Sequence, residues 1–292
     1  MLDPILSLLE ADPTLFVATY AIIGLIVGSF LNVVIYRLPV MMQRSWESQC
    51  QELLELEPSP RERFDLIKPD SRCPHCGTRI GPLENIPLIS YMLQRGRCKH
   101  CHEPISPRYP VIEVFTAVLS AVTAWHFGFG PAALFAVLLT WALIAMSFID
   151  IDHQLLPDDI TLPFLWLGMA LSLFGIFTDM QSAIIGAMAG YLSLWLVYQL
   201  FKLATGKEGM GYGDFKLFAL LGAWLGWQSL PLVLLLSSLV GAVLGISLIL
   251  FRGRDRQLPI PFGPYLAAAG WIALLWGNDI TQAYLLGFTA QP

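Results

Sequence analysis

The chain has 292 residues, of which 55% are hydrophobic and only 13% charged, with a mean hydropathy of +0.62 and a formal net charge of −5. A water-soluble chain of this size carries about 25% charged residues, so the composition excludes an ordinary soluble protein. The acidic balance, with no basic face interleaved with aromatics, excludes nucleic-acid binding.

A helix needs about 20 apolar residues to cross a bilayer. Charge-free stretches predict eight spans, near 14–36, 112–129, 131–150, 160–178, 182–203, 214–228, 230–251 and 262–278, of which the sixth and eighth are short. The expected fold is therefore an all-α polytopic membrane protein. The first span is too long for a removable signal and lacks a basic flank before it. Of the 17 Lys and Arg residues, eleven fall within 37–108 and the others are Lys202, Lys207, Lys216, Arg252, Arg254 and Arg256. With the N-terminus outside, all of them lie on one side of the membrane. The positive-inside rule then puts 38–110 and the loops near 151–159, 204–213 and 252–261 in the cytoplasm. The expected organisation is a first transmembrane helix (1–37), a cytoplasmic metal-binding insert (38–110) and a transmembrane core (111–292).

The insert is polar, proline-rich and holds all five cysteines. "CPHCG" (73–77) and "CKHC" (98–101) form two C-x2-C pairs separated by 21 residues. Two such knuckles supply four thiolates, Cys73, Cys76, Cys98 and Cys101, a donor set suited to one tetrahedral zinc in a ribbon-like insert. A redox dithiol is the alternative for the same pairs, disfavoured as a disulfide in a reducing compartment. His75, His100 and His102 are spare ligands, and Cys50 falls outside the pattern. So small an insert has little core, so a metal would supply much of its folding energy.

Further along, "SFIDIDHQLLPDDI" (147–160) and "EGMGYGDF" (208–215) bring two acids, Asp150 and Asp214, to the same expected membrane depth. An ionisable residue there is a functional hypothesis by default, although Asp214 could simply cap a helix. Gly211 and Gly213 would let an extended backbone approach and would allow positive φ. Two facing carboxyls that share a proton can activate water and protonate a leaving amine. Asp150 and Asp152 point about 200° apart on one helix, so Asp214 needs a partner from another helix; Asp150 is favoured and Asp152 is second. Asp158 and Asp159 are expected as helix caps, and His153 as an interfacial residue.

The chain resembles the type IV prepilin peptidase family through "GSFLNVVIYRLP" (28–39), the cysteine pairs, "NIPLISY" (85–91), "RYPVIE" (108–113), "IDIDHQLLPD" (149–158), "GMGYGDFKL" (209–217) and "PIPFGPYL" (259–266). Gly211-Tyr212-Gly213-Asp214 also resembles the Gly-x-Gly-Asp signature of intramembrane aspartyl proteases. The resemblance implies a bifunctional enzyme of the bacterial inner membrane. It would cleave the basic leader of type IV prepilins and type II secretion pseudopilins at the cytoplasmic face. It would then N-methylate the new N-terminal residue from S-adenosylmethionine. It maps catalysis onto Asp150 and Asp214 and the family's cysteines onto Cys73, Cys76, Cys98 and Cys101. The donor site is unassigned; Ser29, Asn32 and Glu113 are candidates, or interhelical hydrogen bonders. The alternative function is a transporter using Asp150 and Asp214 as proton or cation sites.

Overall fold

A computed structural model of the chain describes residues 3–56, 62–252 and 261–289, so most of the loop near 252–261, with Arg254 and Arg256, lies outside the described residues. Among them the fold is helical, without strands beyond two isolated bridges. It forms two compact units, residues 1–137 and 138–292.

The first unit opens with α1 (Asp3–Ala11) and α2 (Pro13–Leu53). Asp12 caps α2, its Oδ1 accepting from Thr14 N at 2.9 Å and Leu15 N at 3.0 Å, with Pro13 in the first helical position, where a missing N–H costs nothing. The apolar stretch ends at Arg37, but the helix runs on to Leu53. At 1.5 Å per residue its 41 residues reach about 60 Å, twice a bilayer core. α4 (Arg108–Phe127) lies against α2 along a small-residue seam. A Cβ on Gly24 would come within 2.8 Å of Ala117 Cα, and one on Gly28 within 2.8 Å of Glu113 Cα. Backbones approach this closely only where side chains are missing. Asn32 Nδ2 donates across the seam to Tyr109 O at 3.2 Å.

Between these helices the insert has little regular structure: a 3-10 turn (Pro82–Asn85) and the short α3 (Ile89–Leu93). Arg37, buried although charged, ties it to α2 by donating to Asp65 O at 2.9 Å and Pro69 O at 2.6 Å. In the same loop the Lys68 N–H, the Arg63 guanidinium and the Ile67 N–H hold the Asp65 carboxyl down at about 2.

The second unit takes in most of α5 (Pro131–His153), then α6 (Asp158–Ser172), α7 (Met180–Thr205), α8 (Tyr212–Leu225), a 3-10 turn (Trp227–Ser229), α9 (Leu230–Arg252) and α10 (Gly263–Thr289). α8 is its centre: Phe215, Leu217, Phe218, Leu220, Leu221 and Trp224 are all fully buried. Glycines let its neighbours close in. A Cβ on Gly222 of α8 would collide with the Gly186 carbonyl of α7, and one on Gly190 would lie 2.6 Å from Phe218 O. Trp224 fills the space left by Gly168 of α6 and donates its indole N–H to Phe164 O at 2.7 Å.

Among the described residues, α2, α4, α5 and α7 are long and apolar enough to cross a membrane. The other expected spans are also helical, but α6 has 15 residues and α8 only 14.

Candidate active site and metal centre

Asp150, in the last turn of α5, and Asp214, in the first turn of α8, are the buried acids of the second unit among the described residues, at 6% and 7% exposure, and their charges lie near enough to interact. Asp152 is exposed, as helical geometry requires two positions on, and so is His153. Asp150 Oδ2 accepts from the N–H of Gly263, the first residue of α10, at 3.0 Å. Asp214 occupies the third position of α8, where the helix dipole favours a negative charge, while Gly211 takes the cap position without a side-chain bond. Asp214 is thus no N-cap.

The glycines divide their labour differently from expectation. Gly211 is exposed and Gly213 half-buried. Gly211 has φ −81°, and Gly213 is not among the glycines with positive φ. The left-handed position in this loop is Gly206, which ends α7 at φ 70°. Gly213 leaves room for Leu156, whose Cβ would lie 2.7 Å from an added methyl. The same Leu156 reaches Gly263, where an added Cβ would sit 3.2 Å from Leu156 Cδ2 and 2.7 Å from Asp150 Oδ2. One buried side chain is thereby wedged between the two backbones that carry and hold the acids. α7 pins the loop before Asp214 through Lys202 Nζ donating to Glu208 Oε1 at 2.7 Å, and through Phe201, whose ring packs on Gly209. Tyr198, Tyr212 and Phe215 close the cluster with ring centroids 5.4–5.6 Å apart.

Asp158 departs from the capping role. Its carboxylate accepts from Lys216 Nζ at 2.7 and 2.8 Å, tying the start of α6 to the second turn of α8, and it makes no cap bond.

In the first unit the two cysteine knuckles are copies of each other. Cys73 N donates to Thr78 O at 2.9 Å and Gly77 N to Cys73 O at 2.9 Å; Cys98 N donates to Glu103 O at 2.8 Å and His102 N to Cys98 O at 2.9 Å. Gly77 and His102, each four residues after its first cysteine, are both left-handed, at φ 69° and 59°. The ligand atoms of Cys73, Cys76, Cys98 and Cys101 lie within 4.8 Å of one another, and Cys73 and Cys101 Sγ are 3.8 Å apart. Zinc–sulfur bonds of about 2.3 Å in a tetrahedron need sulfur–sulfur edges of about 3.8 Å, so the donor set fits. Hydrogen bonding by Thr78 brings the Cys76 thiol down to about 6. Cys101, despite the backbone bond from Glu103, is pushed up to about 12 by burial and its three sulfur neighbours. A dication would take all four as thiolates. His75, His100 and His102 are not part of the cluster, and Cys50 is exposed outside it.

Glu113 is buried in α4 and accepts from Leu88 N at 2.8 Å. Gly263 and Leu156 are site residues that sequence reasoning missed. Their only signal was membership of "PIPFGPYL" and "IDIDHQLLPD".

Residues 22–127 match the bacterial peptidase A24 N-terminal domain, and residues 136–246 match the type IV leader peptidase family. A Pseudomonas aeruginosa protein named prepilin leader peptidase/N-methyltransferase is 57% identical over 283 residues, 97% of this chain and 98% of that protein. Proteins of the same name from Stutzerimonas stutzeri and Aeromonas hydrophila are 58% identical (95% of this chain, 96% of the relative) and 54% identical (97% and 99%). No solved structure matches the chain. On these full-length identities the chain belongs to the type IV leader peptidase family.

Proposed function

We propose that this protein cleaves the basic leader from type IV prepilins and type II secretion pseudopilins at the cytoplasmic face of the bacterial inner membrane. It then N-methylates the new N-terminal residue, as the names of its relatives pair the two activities. The observation that carries the first activity is the pair of buried carboxylates, Asp150 and Asp214, brought together from two helices.

Like charges held close away from water keep one proton between them. The ionised carboxylate takes a proton from water, whose oxygen attacks the carbonyl carbon of the scissile peptide. The protonated carboxyl donates to the carbonyl oxygen. As the C–N bond breaks, the leaving amine takes up the proton first drawn from water. A hydroxyl of the tetrahedral intermediate returns its proton to the second carboxylate as the new carboxyl group forms, so the pair regains its starting state. Gly263 N–H orients Asp150 throughout, and exposed Gly211 leaves a backbone-wide approach beside Asp214. A transporter would need a polar route from these acids to the opposite face; the α8 residues beyond Asp214 are apolar, save Lys216, which is paired with Asp158.

In this reading the chain spans the membrane eight times, with a first transmembrane helix at 1–37, a cytoplasmic insert at 38–110 and a peptidase core at 111–292. Zinc is the ion assigned to Cys73, Cys76, Cys98 and Cys101, where it would join the two knuckles and supply folding energy rather than chemistry. S-adenosylmethionine supplies the methyl group.

The test is incubation of the purified protein with a prepilin and S-adenosylmethionine in detergent, with mass analysis of the product. Loss of the leader together with gain of one methyl group is expected. An unaltered prepilin would overturn the proposal.

A further inference from the structure

Among the described residues of the insert, exposed apolar side chains stand at Ile67 and at the end of α2 (Trp46, Leu53, Leu54), and they cluster along residues 83–93. There Leu83 is 80% exposed, Leu93 79%, Met92 59% and Ile89 51%, carried by the 3-10 turn and α3. In water such a patch is a liability and marks an interaction surface.

The backbone of this segment is fastened to the membrane-spanning helices. Leu88, at the entry to α3, is held at φ 59°, a conformation leucine rarely adopts, and its N–H donates to Glu113 at 2.8 Å. Glu113 is the sixth residue of α4, about 8 Å along a helix whose 20 residues match the thickness of a bilayer core. Asn32 locks the start of α4 to α2 at the same end. Leu88 is therefore tethered near the start of α4, the end that also exposes Tyr109, Val111 and Val114. The adjoining charges suit anionic headgroups: Arg95, Arg97 and Lys99 stand against a single acid, Glu84, within residues 83–99.

We propose that residues 83–93 are an interfacial anchor, with Leu83, Ile89, Met92 and Leu93 buried in the cytoplasmic leaflet and the basic residues at its headgroups. The insert then lies on the membrane rather than projecting freely from it. The proposal rests on α2 and α4 crossing the bilayer and is independent of either catalytic activity.

The test uses the full-length protein in vesicles of phosphatidylethanolamine and phosphatidylglycerol, some lipids carrying a nitroxide on the acyl chain. Because the cysteines are needed for the knuckles, an environment-sensitive fluorescent amino acid is encoded instead, in separate variants, at Leu93, Met92, Val118 and Ser48. Val118 is exposed on α4. Ser48 lies on α2 about 16 Å beyond Arg37. An anchor buried about 5–10 Å into the interface should be quenched about twofold more at Leu93 and Met92 than at Ser48. Quenching at Val118 with none at Leu93 or Met92 would overturn the anchor while leaving the membrane topology intact. No quenching at Val118 would remove the membrane placement and the anchor with it. If the probe at Leu93 ignores lipid but shifts its emission when prepilin is added, the face docks substrate and the proposal is wrong.

Discussion

Replacing Gly263 with alanine tests how Asp150 is held. The added Cβ would sit 2.7 Å from Asp150 Oδ2. An ordinary carbon–oxygen contact is about 3.3 Å, so the carboxylate must retreat by about 0.6 Å. In doing so it weakens or loses its 3.0 Å bond from Gly263 N. A hydrogen bond to a charged group contributes about 1.5–3 kcal/mol, which corresponds to roughly 10- to 150-fold in rate. A displacement of about 1 Å at a catalytic group is alone worth about 100-fold. Gly263→Ala should therefore lower kcat for leader cleavage by about 10- to 100-fold with KM little changed. Gly277, on the same helix, is the matched control, because a Cβ there makes ordinary contacts, 3.6 Å from Ala273 Cβ. Alanine in a helix interior is favoured over glycine by about 1 kcal/mol, so Gly277→Ala should keep its kcat and gain stability. The assay follows initial rates of leader removal from a prepilin in detergent over a range of substrate concentrations, with mass detection. An unaltered kcat for Gly263→Ala would refute the idea that its backbone fixes the working position of Asp150.

Asp150→Asn and Asp214→Asn should each insert normally yet lose cleavage by about 100- to 10,000-fold, whereas exposed Asp152→Asn should retain it; the same mass assay decides. Metal analysis should find about one zinc per chain, reduced by serine at Cys73, Cys76, Cys98 or Cys101 and unaffected by Cys50→Ser. Gly222→Val drives a side chain into the Gly186 carbonyl and should cost about 1–3 kcal/mol or more, seen as a lower thermal midpoint in detergent. A midpoint equal to that of the unsubstituted protein would contradict the glycine seam.

The helices were legible wherever apolar length decided the matter, because lack of charge is a property of the sequence itself. Where a helix ends was less so. Residues 38–53 continue α2 because hydrogen bonding along the backbone does not depend on the surrounding solvent, and Met, Gln, Glu and Leu sustain a helix in water as well as lipid. The cysteine spacing was enough to place four sulfurs together, since knuckle geometry is local. Asp150 and Asp214 were legible as rare acids at the ends of apolar segments, but Gly263 N–H is 113 residues from Asp150, and no local pattern reports so distant a partner. Asp158 looked like a cap because it stands at a helix start; its true partner, Lys216, is on another helix.

Leu156 gives the second unit an adjustable gauge. Because it packs against both Gly213, one residue before Asp214, and Gly263, which holds Asp150, its girth limits how closely these two backbones approach. Valine at 156 would narrow that shim and methionine would reshape it, without altering any chemical group. In the proposed reaction the placement of the two acids would thus depend on a residue that carries no ionisable group.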